Sequence, residues 1–232
     1  MFRRYRRNRQ LRRKSATVRH SFAELRARMV NQQIAARGIT DSRILEAMRD
    51  VAREQFVPNE LEHAACEDRA LPLTHGQTIS QPYTVAFMCD AARLTGCERV
   101  LEIGTGSGYG AAVLGRLARD VFTVERIPEL AESAKSTLQR LGCSNVHVRV
   151  TNGAVGIPGE SFDAMVVTAA ANRLPSELLE QLADGGRLII PIGEQAIGQT
   201  MWRFTRRNEQ IEEESLGQFS FVPLISAAQS GQ

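Results

Sequence analysis

From residue 99 onward, short β-rich apolar runs alternate with stretches of helical periodicity. The pattern predicts strands at 99–104, 121–125, 145–150, 162–168 and 187–192, helices at 109–118, 128–141 and 175–182, and further strands at 201–205, 210–216 and 219–224. Strands that alternate with helices form a mostly parallel sheet with helices on both faces. The fold class is therefore α/β, and its ligands are expected at the carboxyl ends of the strands.

The first part of the chain has a different, mostly helical pattern. A capping box at Ser21–Glu24 starts a predicted helix that ends at Gly38, and a second helix begins near Asp41. Residues 58–82 show no sustained periodicity, and a helix follows at 83–94. A long irregular stretch inside a compact domain is usually either disordered or functional.

Charge is distributed unevenly along the chain. It has 29 Lys and Arg residues and 26 Asp and Glu residues, for a formal charge of +3. Nine of the cations and none of the acids lie within residues 1–20, so residues 21–232 carry 20 cations, 26 acids and a net charge of −6. We expect this basic tail to be disordered, because it has too few apolar residues to bury. The alternatives are a nucleic-acid or anionic-lipid arm, a transit peptide, or translated sequence upstream of a start at Met29.

The cysteines and histidines show no pattern typical of a metal site. Four cysteines are too irregularly spaced for a disulfide framework or a C-x-x-C pair, which favours free thiols in a reducing compartment. The four histidines have no H-x-x-x-H or H-E-x-x-H spacing, so we expect no zinc. The longest apolar stretch, Ala164–Ala171, falls far short of the roughly 20 residues that a membrane-spanning helix needs.

A glycine-rich turn follows the first predicted strand of the sheet. Gly104, Gly106 and Gly108 form a G-x-G-x-G motif, which differs from the G-x-G-x-x-G of dinucleotide sites. A tight strand-to-helix turn would favour glycine even without a ligand. However, Glu102 precedes the turn where it would repel a phosphate, and Glu125 ends the next strand near the spacing of a ribose-binding carboxylate. These features favour a cationic nucleoside without phosphate, and S-adenosylmethionine meets that description.

This combination resembles the class I S-adenosylmethionine-dependent methyltransferase fold, a Rossmann-like sheet. In that family an Asp-Gly pair after the third strand commonly contacts adenine, and the corresponding residues are Asn152 and Gly153. An Asn carbonyl can still accept a hydrogen bond from the adenine amino group, although without the strengthening charge. The resemblance implies that both residues bind the cofactor.

The acceptor is indicated by two further segments. Residues 167–171 lack the Asn/Asp-Pro-Pro-Tyr/Phe turn of many base and glutamine methyltransferases, and they lack the acid cluster of catechol-type enzymes. Instead, Ala70–Leu73 and Gly76–Tyr83 resemble the signature of protein-L-isoaspartate O-methyltransferases, and the resemblance extends over about residues 25–224. It implies methylation of the α-carboxylate of L-isoaspartyl residues in damaged peptides and proteins, with return of the ester to succinimide permitting repair.

The same resemblance implies roles for individual residues. Ser80 would be the active-site hydroxyl, and Gln77 and Thr78 would line the gap between cofactor and peptide. No general base is required, because a carboxylate with a pKa near 4 is already ionised at neutral pH. An alternative for Ser80 is that it caps the following helix.

We further expect one methyltransferase domain over residues 21–232. It would comprise N-terminal helices and a substrate loop at 21–98, a cofactor-binding core at 99–193 and C-terminal strands at 194–232. The expected setting is a cytoplasmic monomer that contacts neither nucleic acid nor membrane. Two other functions stay open at this point: a methyltransferase-fold protein with altered catalysis, and a nucleic-acid methyltransferase recruited by the basic tail.

Overall fold

A seven-stranded sheet organises the computed structural model, which describes residues 21–151, 155–194 and 196–224. Its strands are β3 (Arg99–Ile103), β4 (Asp120–Glu125), β5 (Val146–Val150), β6 (Phe162–Val167), β7 (Leu182–Ile192), β8 (Gln199–Arg207) and β9 (Gln210–Phe219). They lie in the order β5-β4-β3-β6-β7-β8-β9. The first five are parallel, β8 pairs antiparallel with β7, and β9 pairs antiparallel with β8, so the predicted α/β class with a mostly parallel sheet is confirmed. The tail at 1–20, Asn152 and Gly153 lie outside the described residues.

Six α-helices surround or precede this sheet in the described part of the chain. They are α1 (Phe22–Met29), α2 (Ser42–Asp50), α3 (Pro82–Ala92), α4 (Tyr109–Leu117), α5 (Pro128–Arg140) and α6 (Ser176–Glu180). The predicted capping box is confirmed, because the Ser21 amide donates to the Glu24 carboxylate and the Glu24 amide donates to the Ser21 hydroxyl. A π turn at Val30–Ile34 and a 3-10 turn at Ala35–Arg37 continue α1 to Gly38.

Two predictions for the less regular segments are corrected. Within the stretch expected to be irregular, β1 (Leu71–Pro72) and β2 (Thr78–Ile79) form a small antiparallel hairpin. The predicted strand at 219–224 is wrong, because β9 continues as far as Phe219 and the chain then leaves the sheet edge. Beyond it, an isolated bridge joins Pro223 to Ala170, so this apolar run is held by the loop after β6 rather than by a neighbouring strand.

Alternating side chains of β3 divide the hydrophobic core between the two faces of the sheet. Val100 packs in the cluster that includes α2, α3 and α4, whereas Leu101 and Ile103 pack in the cluster on the other face with α6. Successive residues of a strand point to opposite faces. Glu102 therefore points toward the same helices as Val100, and it is buried there.

The turn after β3 is held by both neighbouring strands. The Gly104 and Thr105 amides donate to the Val124 carbonyl of β4, and the Thr168 hydroxyl, just after β6, donates to the Ile103 and Gly104 carbonyls. Gly104 has a φ of +98°, and a Cβ on it would lie 2.3 Å from the Thr168 hydroxyl oxygen. A side chain is therefore excluded both by backbone conformation and by this close approach.

We predict that Gly104→Ala destabilises the protein more than Gly142→Ala. Both glycines have positive φ, at +98° and +73°, but nothing lies within 4 Å of a Cβ at Gly142. Gly142→Ala, the matched variant, introduces only backbone strain. Overpacking against Thr168 should therefore lower the free energy of unfolding of Gly104→Ala by about 1–3 kcal/mol more. Urea unfolding of the two variants measures the difference, and equal losses would contradict the steric explanation.

Candidate active site

A cavity of about 880 Å³ opens at the carboxyl ends of β3, β4 and β6. The strand order reverses at β3, which is where open α/β sheets bind ligands. Seven of the residues predicted to form the site line this cavity: Gln77, Thr78, Ser80, Glu102, Gly104, Gly106 and Glu125. Gly108 is not among the lining residues; it precedes α4 with a φ of +87°, and a Cβ there would meet Ala134 and Leu138 of α5. The structure thus brings most of the predicted set together from distant parts of the sequence.

Glu102 is a buried acid in the cavity wall. Its side chain is 1% exposed and accepts a 2.6 Å hydrogen bond from the Thr123 hydroxyl, which is also 2.7 Å from the Thr105 hydroxyl. Removal from water raises the pKa of Glu102 to about 8, with a smaller contribution in the same direction from the nearby Glu125 carboxylate and an opposing one from the Thr123 bond. No ion pair is seen between Glu102 and a cation of the described chain. This carboxyl group would therefore favour a positively charged ligand.

Glu125 lies at the end of β4, on the other side of the glycine turn. One carboxylate oxygen accepts the Gly106 amide at 3.0 Å, and the other accepts the Arg126 and Ile127 amides at 3.0 and 3.1 Å. These backbone donors hold the carboxylate in one orientation. Since two carboxylate oxygens offer about four lone-pair positions, capacity remains for a ligand hydroxyl.

The β1–β2 hairpin and the residues just after it form another wall of the cavity. The Leu73 amide donates to the Gln77 carbonyl at 2.8 Å, and a Cβ on Gly106 would lie 3.9 Å from Leu73 Cδ1 and 4.0 Å from the Thr78 carbonyl oxygen. The hairpin thus lies against the glycine turn. Residues from the irregular half of the sequence and residues from the sheet share one cavity for this reason.

Ser80 follows β2 directly and is half-buried in the cavity wall. The alternative role as a helix cap is wrong, because the residue preceding α3 is Gln81 and no side chain caps this helix. Within the described part of the chain, the Ser80 hydroxyl has no hydrogen-bond partner. It is therefore free to contact a ligand.

Several lining residues were absent from the predicted set. One is Thr168, whose hydroxyl bonds to the Gly104 carbonyl. Three others are aromatic: the ring centroid of Phe87 lies 6.0 Å from that of Tyr83 and 4.8 Å from that of Phe219. Residues 216–224 close the remaining side. The segment at 221–224 carried a family resemblance, but nothing in its composition indicated that it lies beside the cavity.

The cavity fits the predicted cofactor in its chemistry. A buried acid suits a cation, a fixed carboxylate in the cavity wall suits ribose hydroxyls, and a glycine turn leaves room for close backbone approach. Among residues 21–151, 155–194 and 196–224, no group of three or more His, Cys, Asp or Glu side chains could hold a metal ion. No helix in these same ranges is long and apolar enough to cross a membrane.

We predict that the ionisation of Glu102 makes the ligand-free protein less stable as pH rises. Between pH 4.5 and about 8 the folded protein keeps a proton that the unfolded chain has lost, so raising the pH favours unfolding. The free energy of unfolding of the wild type should therefore fall across this window relative to Glu102→Gln. Parallel pH dependence of the two proteins in chemical denaturation would contradict the burial effect.

Comparison with known proteins identifies a matching family and several relatives of this chain. Residues 24–229 match the family described as protein-L-isoaspartate(D-aspartate) O-methyltransferase. A protein-L-isoaspartate O-methyltransferase of Brucella anthropi is 50% identical over 88% of this chain and 95% of its own length. A protein-L-isoaspartate O-methyltransferase 2 of Marinobacter nauticus is 50% identical over 88% and 94%.

Solved structures show the same relationship. A protein-L-isoaspartate O-methyltransferase superposes with a TM-score of 0.75 at 28% identity, covering 88% of this chain and 65% of that one. A Plasmodium falciparum structure with the same family description, in complex with S-adenosyl-L-homocysteine, superposes at 0.74 and 25% identity over 86% and 98%. The predicted class I methyltransferase fold is confirmed. With a family match over most of its length and relatives at 50% identity, this chain belongs to the protein-L-isoaspartate(D-aspartate) O-methyltransferase family.

Proposed function

We propose that this chain transfers a methyl group from S-adenosylmethionine to the α-carboxylate of L-isoaspartyl residues in damaged peptides and proteins. The observation that carries the proposal is the position of Ser80: its hydroxyl, which has no hydrogen-bond partner among the described residues, lies in the same cavity as the Gly104–Gly106 turn and Glu125. An acceptor aligned by Ser80 would thus be beside a cofactor held by the sheet.

The reaction needs little acid–base chemistry from the protein. The acceptor carboxylate is ionised at neutral pH, so one of its oxygens would bond to the methyl carbon while the bond from that carbon to the sulfonium sulfur breaks, and the sulfur would leave as a neutral thioether. S-adenosylmethionine, when bound, supplies the activated methyl group. What the protein must provide is orientation, which can contribute roughly 7–11 kcal/mol to lowering the barrier.

Acidic residues of the cavity would bind the cofactor, and neutral residues would face the acceptor. Glu102 and the backbone of Gly104 and Gly106 would hold the cationic amino-acid part of the cofactor, and Glu125 its ribose hydroxyls. Gln77, Thr78 and Ser80 would line the gap to the acceptor. A neutral hydroxyl suits the acceptor side, because charge disappears as carboxylate and sulfonium react and a strong cation would stabilise the ground state more than the transition state.

The proposal also covers Gly108, which is not among the cavity-lining residues, and Asn152 and Gly153, which are not among the described residues. Asn152 and Gly153 would contact adenine, and Gly108 is kept as a glycine that shapes the turn for the cofactor. Residues 21–232 act as one domain, which is supported by the shared core of the N-terminal helices and the sheet. The proposed setting is a cytoplasmic monomer without nucleic-acid or membrane contact. The four free cysteines support only the reducing compartment in this proposal.

The activity is tested by transfer of labelled methyl from S-adenosylmethionine to three acceptors. An isoaspartyl peptide, the same peptide with a normal aspartyl residue, and RNA are compared at equal concentration. Methylation confined to the isoaspartyl peptide supports the proposal. Labelling of RNA instead would favour a nucleic-acid methyltransferase, and labelling of none would favour a protein that has lost catalysis.

We predict that Ser80→Ala keeps the affinity for S-adenosylmethionine and loses most of its turnover. The substitution removes a hydroxyl that has no hydrogen bond to any residue the structure describes, so folding and cofactor binding should be unchanged, while the acceptor carboxylate loses its aligning contact. A loss of about 10²-fold in kcat is expected from misplacement of the reacting atoms. Full activity of the purified variant would remove Ser80 from the mechanism.

We predict that Glu125→Ala weakens binding of S-adenosylmethionine roughly 10- to 100-fold. Hydrogen bonds to a charged acceptor contribute about 1.5–3 kcal/mol, and the variant also releases the Gly106 amide. The matched control is Glu129→Ala, because Glu129 is an exposed acid in the first turn of α5. This variant should bind S-adenosylmethionine with wild-type affinity. Calorimetry that finds equal affinities for the two variants would argue against the ribose role.

A further inference from the structure

A polar cluster lies at the mouth of the cavity, next to the turn that carries Ser80. It consists of Arg37, Asp68, Gln81 and Tyr83, and the last three line the cavity. No step of the proposed reaction uses these residues. Their contacts nevertheless converge on the short connection between β2 and α3.

Asp68 is the centre of this cluster. The Gln81 side-chain amide donates to the Asp68 carboxylate at 2.7 Å and to the Asp68 backbone carbonyl at 3.1 Å. From the other side, the Arg37 guanidinium donates to both carboxylate oxygens, at 2.5 and 3.4 Å. The same guanidinium stacks over the Tyr83 ring, 4.8 Å from its centroid. Residues on both sides of the α3 N-terminus are therefore connected to Asp68.

Ser80 has few other constraints on its position. The preceding strand, β2, contains only Thr78 and Ile79. The Ser80 hydroxyl has no hydrogen-bond partner in the described chain, and the Gln81 side chain does not cap α3. The Gln81 side chain instead reaches Asp68 and accepts a 3.4 Å bond from Thr84. The anchored residue is thus the immediate neighbour of Ser80 in the chain.

Stability alone gives little reason for this arrangement. The Arg37 and Asp68 side chains are 44% and 30% exposed, and ion pairs so open to solvent contribute little to the stability of the fold. A much larger effect is possible on the reaction, because small misplacements of reacting groups lower rates strongly. The cluster is therefore better placed to affect turnover than folding.

We infer that Asp68 is a positioning residue for methyl transfer: by holding the Gln81 side chain, it fixes the backbone that presents the Ser80 hydroxyl to the acceptor carboxylate. Arg37 contributes by holding Asp68 and by neutralising its charge near the incoming carboxylate. The inference rests on the proposed function. It assigns to Asp68 an effect on the acceptor step and none on cofactor binding.

The test compares Asp68→Ala with a matched variant, Asp41→Ala. Asp41 pairs with Arg43 at exposures of 29% and 48%, close to those of Asp68 and Arg37, and it is not among the cavity-lining residues. For each variant, kcat and KM for an isoaspartyl peptide, the Kd of S-adenosylmethionine and the midpoint of urea unfolding are measured. Asp68→Ala should lose about tenfold in kcat and keep its cofactor Kd within about twofold. Asp41→Ala should keep wild-type kinetics.

A conservative variant separates positioning from a general structural role. Asp68→Asn retains a side-chain oxygen that can accept the Gln81 amide, so it should recover most of the kcat lost in Asp68→Ala. Wild-type kcat in Asp68→Ala would overturn the inference. So would a joint loss of kcat, cofactor affinity and stability that Asp68→Asn does not rescue.

The wild type in the same assay keeps the two proposals distinguishable. An active wild type with an equally active Asp68→Ala overturns the role of Asp68 alone. A wild type that does not methylate the isoaspartyl peptide overturns the proposed function and, with it, the role of Asp68.

Discussion

The site depends on a single turn at which three parallel strands end together. The Gly104 and Thr105 amides reach the Val124 carbonyl of β4, while the Thr168 hydroxyl, after β6, reaches the Ile103 and Gly104 carbonyls of β3. Polar groups that would otherwise be unsatisfied at the strand ends are thereby bonded to one another. The turn is fixed by these long-range hydrogen bonds. Because they join it to neighbouring strands, the cavity wall that the turn forms is held in place by the sheet.

That fixed turn also determines where charge is placed. Glu102 points into the helix-covered face, where burial raises its pKa to about 8, whereas Glu125 is oriented by three backbone amides. Both acids lie on the side of the cavity formed by the sheet, and the neutral Ser80 lies on the side formed by the hairpin. This separation suits a reaction between a cation and an anion, since neither partner is held by a group of its own sign at the reacting atoms.

The sequence was sufficient to predict those parts of the fold that local pattern encodes. The apolar runs of β3, β4, β5 and β6 and the capping box of α1 are all recognisable in the sequence. The β1–β2 hairpin and the course of residues 219–224 are not. Each β1–β2 strand has two residues, too few for a period-two pattern, and 219–224 is held by Ala170, about 50 residues away. Short elements and distant partners leave little trace in local periodicity.

The same distinction explains which site residues the sequence could not identify. Gly104, Glu102 and Glu125 sit at strand ends, where the topology of a parallel sheet already predicts a ligand. Other residues of the site become relevant only through tertiary contacts. The Thr168 hydroxyl bonds to the Gly104 carbonyl, and the Asp68 carboxylate accepts the Gln81 side-chain amide. The segment at 216–224 continues past β9 and bonds to the loop after β6. A reaction that demands orientation more than acid–base catalysis makes such residues important, because each of them fixes a position and none of them has to exchange a proton.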